Sequence, residues 1–338
     1  MHETHFAANL NRTLDYIRGY AVSFVLQSLI ADGALAAMKT PFTIDRLAEQ
    51  HSYRPDLFGP VIKFLVVEEI VAPGKETGSY QLTDYGTWVA DHPGWIELLV
   101  GGYHPVYSGL SDILKHGPEA AQRDAHFVGL GSYEISLYDA FPLAWKLIDR
   151  VNRDAKRFVD VGCGDGYFVR EICNRMPHAS AIGIEPSESW TSAAAAVERA
   201  GLADRIEIHN LDALNYAVEP DTDFLLFAFV LQEMLPSIGE EGLVTYFQRL
   251  RDAGFAGSVL AIEVEYDLDN LELLRTPIGR GYYNPYYLIH PLTSQRLMPI
   301  ARWKALFERA GYRLVAEDTV DPQVDPSGLE VGLVFTPR

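Results

Sequence analysis

Cysteine is nearly missing from this 338-residue chain: only Cys163 and Cys173 occur. Two thiols cannot build the disulfide framework of a small secreted domain. Cys163 also sits in a glycine-rich loop, where a disulfide would block anything lying against the backbone, so two reduced thiols in a cytoplasmic protein are expected. Basic side chains are scarce as well, 28 against 46 acidic ones, for a net charge of −18. That balance opposes a nucleic-acid partner, whose affinity comes largely from lysine and arginine neutralising phosphates. It also leaves no basic amphipathic segment for a membrane surface. No long apolar run exists; the longest, around Phe224 to Leu231, falls far short of a bilayer span. The opening MHETHFAANLNRT lacks the basic and apolar regions of a secretory signal, and none is expected.

What is present is enough apolar content, 48%, for a sizeable core, at a length that favours two domains. The chain is organised around FVDVGCGDGYF, residues 158–168. A short apolar strand runs into Gly162, Gly164 and Gly166, and a helix is expected from about Tyr167. Glycines at alternate positions let a ligand lie against the main chain, and the helix N-terminus adds N–H donors. Dinucleotide-binding loops look similar. Asp160, however, sits within the strand, two residues before the first glycine, where a dinucleotide fingerprint has an apolar residue.

From residue 156 onward strand and helix alternate, as a parallel sheet with crossover helices requires. The second strand, AIGIE, ends at Glu185, where a carboxylate can accept both hydroxyls of a ribose. The third, RIEIHN, leads to Leu211-Asp212-Ala213, and Asp212 can accept an adenine amino group. DFLLFAFVLQEML reads as the fourth strand, followed by a helix over Glu240 to Ala253 and a fifth strand, SVLAIEVEYD. A helix (RWKALFERAGY) and two strands, near Arg313–Glu317 and Glu330–Phe335, close the chain.

With Asp160 preceding a GxGxG loop and acids at three consecutive strand ends, this half resembles the class I S-adenosylmethionine-dependent methyltransferases. The resemblance implies an α/β, Rossmann-like sheet that binds S-adenosyl-L-methionine. Asp160 then faces the methionine ammonium, Gly162 and Gly164 admit the sulfonium ligand, Glu185 takes the ribose and Asp212 the adenine. Ala213 and Phe229 complete the cofactor contacts.

The front half supports the comparison. Residues 6–38 read as helix, apolar on more than one face in the second half, which predicts burial against another subunit as well as its own domain. Thr43 precedes a short helix, a second helix carries Leu57, Val61, Phe64 and Leu65, and Ile70-Val71 and Tyr80–Leu82 flank a turn-rich KETGS. Two helices plus a hairpin make a winged helix. Its presumed recognition helix sets Arg54 and Lys63 against Asp56, Glu68 and Glu69, a poor surface for phosphates. In small-molecule methyltransferases a similar α-helical winged-helix domain serves dimerisation, so a homodimer is expected. The expected domains are 1–100 for dimerisation, 101–150 as connector and pocket wall, and 151–338 for the cofactor.

The acceptor side departs from the commonest pattern. Many O-methyltransferases of this layout carry a His-Asp pair after the fourth strand, the histidine being the base. Here Gln232-Glu233 stands at that place, and glutamine takes no proton at neutral pH. The segment RGYYNPYYLIHPLTSQR resembles that of bacterial C-methyltransferases acting on α-keto acids, the 2-ketoarginine methyltransferase group among them. The resemblance implies a divalent or transition metal, of zinc or iron type, held by Gln232, Glu233 and His290, which are also the catalytic residues. Such a cation chelated by a 2-oxo carboxylate favours the enolate that attacks a methyl group. Arg280 is a candidate for the substrate carboxylate, and Tyr103, Tyr107 and Tyr283 for the pocket wall. Two other readings stay open: an O- or N-methyltransferase using Glu233 or His290 as base, and a winged-helix regulator whose second domain only senses a ligand.

Overall fold

The computed structural model describes residues 2–187 and 189–338, with side chains from residue 5 onward. The chain divides into two compact units, residues 1–105 with 123–134, and residues 106–122 with 135–338. The stretch 101–150 is therefore shared between them.

In the first unit, helix α1 (His2–Ala31) ends where Gly33 takes a left-handed φ of 70°. Helices α2 (Ile44–Gln50) and α3 (Pro55–Val67) follow, with strands β1 (Phe42–Thr43), β2 (Val71–Pro73) and β3 (Ser79–Leu82) in the order β1-β3-β2. This is the expected winged helix. The Thr43 hydroxyl caps α2 by accepting the Arg46 N–H at 3.4 Å. Leu26, Leu29, Leu35, Met38, Phe58, Ile62 and Leu65 form the core. Only the second half of α1 enters it. Phe6, Leu10, Leu14, Ile17 and Tyr20 are exposed, so the surplus apolar surface lies in the first half of the helix, not the second.

The second unit holds a seven-stranded sheet of order β6-β5-β4-β7-β8-β10-β9. Strands β4 (Arg157–Val161), β5 (Ser180–Ile184), β6 (Ile206–His209), β7 (Phe224–Ala228) and β8 (Ser258–Val264) are parallel, while β9 (Tyr312–Thr319) and β10 (Glu330–Pro337) run antiparallel at one side. Central strands of a parallel sheet are covered on both faces and read as continuous apolar runs. Accordingly all seven residues of β8 are buried, Glu263 among them. Crossover helices include α4 (Ala140–Asn152, which precedes β4), α5 (Tyr167–Arg175) and α6 (Ser189–Arg199).

One expectation is corrected at the end of β7. The strand stops at Ala228 because Phe229 adopts φ 58°, and helix α7 (Leu231–Asp252) begins at once. Gln232 and Glu233 thus belong to a first helical turn rather than to a strand. A non-helical Gly239 (φ 68°, ψ 175°) splits α7 near the place where the helix was expected to start. Helices α8 (Asn284–Leu292) and α9 (Ile300–Arg309) complete the unit. Among the described residues no helix is long and apolar enough to cross a membrane.

Candidate active site

The glycine loop follows β4 directly. Gly162, Gly164 and Gly166 have φ of 70°, 53° and 74°, a region that costs other residues strain. The N–H groups of Gly162 and Cys163 both donate to the Ile184 carbonyl, at 2.8 and 3.1 Å, tying the loop to the end of β5. A Cβ on Gly162 would meet Val230 Cγ2 at 2.6 Å, whereas one on Gly164 would meet nothing within 4 Å. The loop is therefore tight at its first glycine and open at its second. Cys163 is buried and would lie 2.6 Å from a Cβ on Gly183; burial pushes its thiol up strongly. It fills space and offers no thiolate nucleophile.

Asp160 is 3% exposed and lies in register with Gly183 of β5 and Leu226 of β7. Burial, then the Glu185 and Asp165 carboxylates, push its pKa up to about 8. Three carboxylates converging on one loop with this effect make a place where a cationic group is stabilising. Glu185 Oε2 accepts from the Gly164 N–H at 3.0 Å and Oε1 from the Ser187 N–H at 2.9 Å, so the carboxylate is oriented by main chain alone. Asp212 is exposed, and its Oδ1 accepts the Leu214 N–H at 2.8 Å, starting the short 3-10 turn Ala213–Asn215. Phe229 N–H donates to Ile262 at 2.9 Å. Asp160, Gly162, Gly164, Glu185 and Asp212 thus sit at the carboxyl ends of three neighbouring parallel strands, where open α/β sheets bind ligands. Asp165 was missed by sequence reasoning, although it stands between two glycines of the motif.

The acceptor residues lie beside the next strand ends. Glu263, also missed, accepts the Leu231 N–H with Oε1 at 3.0 Å and faces the Gln232 N–H. It is 1% exposed, and burial pushes its pKa up to about 8. A lone acid among the apolar or small residues of SVLAIEV was the available signal. Gln232, 3% exposed, donates through Nε2 to the Tyr286 hydroxyl at 3.3 Å, and its Oε1 has no hydrogen-bond partner. His290 is 1% exposed; its Nδ1 donates to the Tyr286 carbonyl at 2.6 Å, and its ring packs 4.0 Å from the Tyr286 ring. That bond leaves Nε2 as the acceptor nitrogen of the neutral ring. Glu233 is exposed and accepts Gln295 Nε2 at 2.7 Å, while the Gln295 N–H donates to the His290 carbonyl at 2.9 Å. Tyr286 and Gln295 therefore link Gln232, Glu233 and His290 into one network.

Among the described residues no group of three or more His, Cys, Asp or Glu could hold a metal ion. The set here has two such residues and an amide oxygen. Its fit to a cation rests on the buried, unsatisfied Gln232 Oε1 and on the carbonyl that orients His290, an arrangement common behind metal-bound imidazole.

The substrate candidates separate. Tyr283 is 1% exposed and its hydroxyl donates to Asp325. Arg280 is exposed on a π-helical turn, Gly279–Tyr283, and Tyr107 is exposed in His104–Ser108. Tyr103 is buried and belongs to the first unit.

Comparison with known proteins agrees with this fold. The family profile described as a methyltransferase domain matches residues 158–254. A 2-ketoarginine methyltransferase of Streptomyces arginensis is 32% identical over 338 residues, covering 98% of this chain and 97% of that protein. Methyltransferase ungE' of Aspergillus campestris is 27% identical, covering 86% and 87%. Among solved structures, the N,N-8-amino-8-demethyl-D-riboflavin dimethyltransferase of Streptomyces davawensis aligns with a TM-score of 0.67 at 16% identity, over 97% of this chain and 99% of that one. The mitomycin 7-O-methyltransferase aligns at 0.66 and 16%, over 98% of each. At that identity the likeness is one of fold.

Proposed function

The chain belongs to the S-adenosylmethionine-dependent methyltransferases, and from that premise we propose that it methylates the β-carbon of a 2-oxo acid, 2-ketoarginine being the leading candidate. One observation carries this reading. The first turn of α7 buries an amide, Gln232, with its Oε1 unsatisfied, in the network that contains His290. An amide accepts no proton at neutral pH, which disfavours removal of a hydroxyl proton at this place. It is an acceptable oxygen donor to a cation, beside a carboxylate and an imidazole.

The chain's own residues perform three tasks in this scheme. Asp160 and Glu185 would hold the cofactor's ammonium and ribose, at the ends of neighbouring strands. Gln232 Oε1, the Glu233 carboxylate and His290 Nε2 would hold a divalent cation, which when bound withdraws electrons from a 2-oxo carboxylate and acidifies the adjacent C–H. Glu263 holds the first turn of α7 so that Gln232 and Glu233 keep their places.

The enzyme acts on a small molecule as a homodimer in the reducing cytoplasm. The exposed apolar residues of α1 and the two buried free thiols support those two points. The test is labelled methyl transfer to a panel of 2-oxo acids, with and without chelator. Chelator-sensitive transfer to carbon is expected. Transfer only to hydroxylated or amine acceptors would overturn the reading.

A further inference from the structure

Away from the cofactor loop, the second unit buries three carboxylates around one spot. Asp139, at the N-cap of α4, is 7% exposed; Glu330, the first residue of β10, is 2% exposed; Asp325, in the preceding loop, is 5% exposed. Asp139 accepts the Ala140 N–H with one oxygen, and its carboxyl group is hydrogen-bonded to that of Glu330, the two sharing a proton. Asp325 accepts the Tyr283 hydroxyl and the Ser327 N–H. Glu330 Oε1 is buried with no hydrogen-bond partner. Among the described residues no lysine, arginine or histidine forms a salt bridge with any of the three.

Such a cluster is costly to ionise unless a cation joins it. Burial and mutual repulsion hold Asp139 up at about 7 and Glu330 well above its ordinary value. The spot is connected to the candidate active site. Tyr282 is exposed to the charges of Asp139, Glu330 and Asp325, and its ring lies 5.7 Å from that of Tyr286, the acceptor of the Gln232 amide. Tyr282 and Tyr283 are edge to face at 5.1 Å, so aromatic faces border the acids. A planar cation presenting several N–H donors satisfies an unpaired carboxylate oxygen and lies well against aromatic rings.

We infer that Asp139 and Glu330, with Asp325 and Tyr282 beside them, form the subsite for the guanidinium end of the 2-oxo acid whose reactive end meets Gln232, Glu233 and His290. The inference rests on the 2-oxo acid reading above. It adds which residues take the cationic end, and these are remote in sequence from Gln232 and Glu233.

The test compares 5-guanidino-2-oxopentanoate with its neutral ureido counterpart, 5-ureido-2-oxopentanoate, and with uncharged branched 2-oxo acids. A site built to pair a particular donor set rejects a near-isostere strongly, so the unmutated enzyme should prefer the guanidino acid by about a hundred-fold or more in kcat/KM. Glu330→Gln, with Asp139→Asn as the second variant, should weaken the guanidino acid by at least about thirty-fold, mostly through KM. Calorimetric binding of S-adenosylhomocysteine, held at other strand ends, reports whether each variant is folded. The comparison in unmutated enzyme needs no variant at all. Equal use of the guanidino and ureido acids, or use of neutral 2-oxo acids alone, would overturn the subsite while leaving the 2-oxo acid reading intact. Transfer to no 2-oxo acid would remove both.

Discussion

Glu263 accepts the N–H of Leu231 at 3.0 Å from inside a strand whose every other residue is apolar or small. A carboxyl oxygen at a helix N-terminus accepts N–H groups that the helix itself leaves unpaired. Here it also decides where the two following residues, Gln232 and Glu233, stand. Replacing it by leucine strands buried donors at about 1–3 kcal/mol in stability. Glu263→Leu should therefore lower both the melting temperature and turnover. Glu263→Gln, which keeps an acceptor, should be milder on both. A Glu263→Leu protein as active as the unmutated one would show that the first turn of α7 is held by other means.

The same residue carries a pH signature. Its folded pKa lies near 8 against an ordinary 4.5, because it is buried. The folded state thus keeps a proton that the unfolded chain releases. Its contribution is full below 4.5 and is lost as pH rises toward 8. Melting curves of the cofactor-free protein should fall across that window, and Glu263→Gln should flatten part of the fall. A pH-independent melting temperature in the unmutated protein contradicts the prediction.

Asp160 gives a second, separable signature. It is pushed up to about 8 in the cofactor-free chain, and the cofactor's ammonium needs the carboxylate. Binding must then release a proton, and affinity should tighten as pH rises toward 8. Calorimetry in buffers of different ionisation enthalpy measures that proton directly. Asp160→Ala and Glu185→Ala should each weaken binding by about 1.5–3 kcal/mol, the range for hydrogen bonds to charged groups. Unchanged affinity in folded variants would remove these residues from the cofactor site.

The dimer prediction rests on α1. Phe6, Leu10, Leu14 and Ile17 recur at helical spacing along one stretch and are exposed in the single chain. A contiguous apolar patch of this kind usually marks an association surface. Light scattering should show a dimer at micromolar concentration, and the double change Leu10→Asp with Ile17→Asp should shift it to monomer. A monomeric unmutated protein would dispose of the idea.

Much of this architecture could be read from one chain because its signals are local. The strand-glycine-helix corner and the acids at Asp160, Glu185 and Asp212 follow from the period of a parallel sheet. The winged helix follows from two short helices and a turn-rich hairpin. The start of α7 could not be read, since Phe224 to Leu231 is apolar without a break across the strand end. What ends the strand is the left-handed backbone of Phe229, a residue type that gives no hint of it. Glu263 stood out only as a lone acid in its strand, and Asp139 and Glu330 not at all, for another reason. Each is an ordinary acid in sequence, and only tertiary packing makes it buried. Their roles depend on partners 32 residues away for Glu263 and about 190 away for Asp139 and Glu330. Arg280, chosen as a residue type suited to carboxylates, is exposed on the turn that carries Tyr282 and Tyr283.

The metal question separates the two enzymatic readings most cleanly. If Glu233 and His290 hold a cation with the 2-oxo acid, alanine at either should abolish turnover while S-adenosylhomocysteine binding survives, because the cofactor rests on other strand ends. Gln232→His is the informative change. Imidazole is generally the better ligand for zinc- or iron-type ions, so the variant should retain transfer to carbon and hold its metal more tightly. Tyr286, whose hydroxyl accepts the Gln232 amide at 3.3 Å, can instead donate to the new ring. If the enzyme methylates oxygen or nitrogen, the same change installs a base at the first turn of α7. Activity on hydroxylated acceptors should then rise with no metal required. Elemental analysis of the unmutated protein comes first. Full activity in chelator, with no transition metal bound, would sink the cation-assisted scheme and leave the methyltransferase fold and its cofactor site standing.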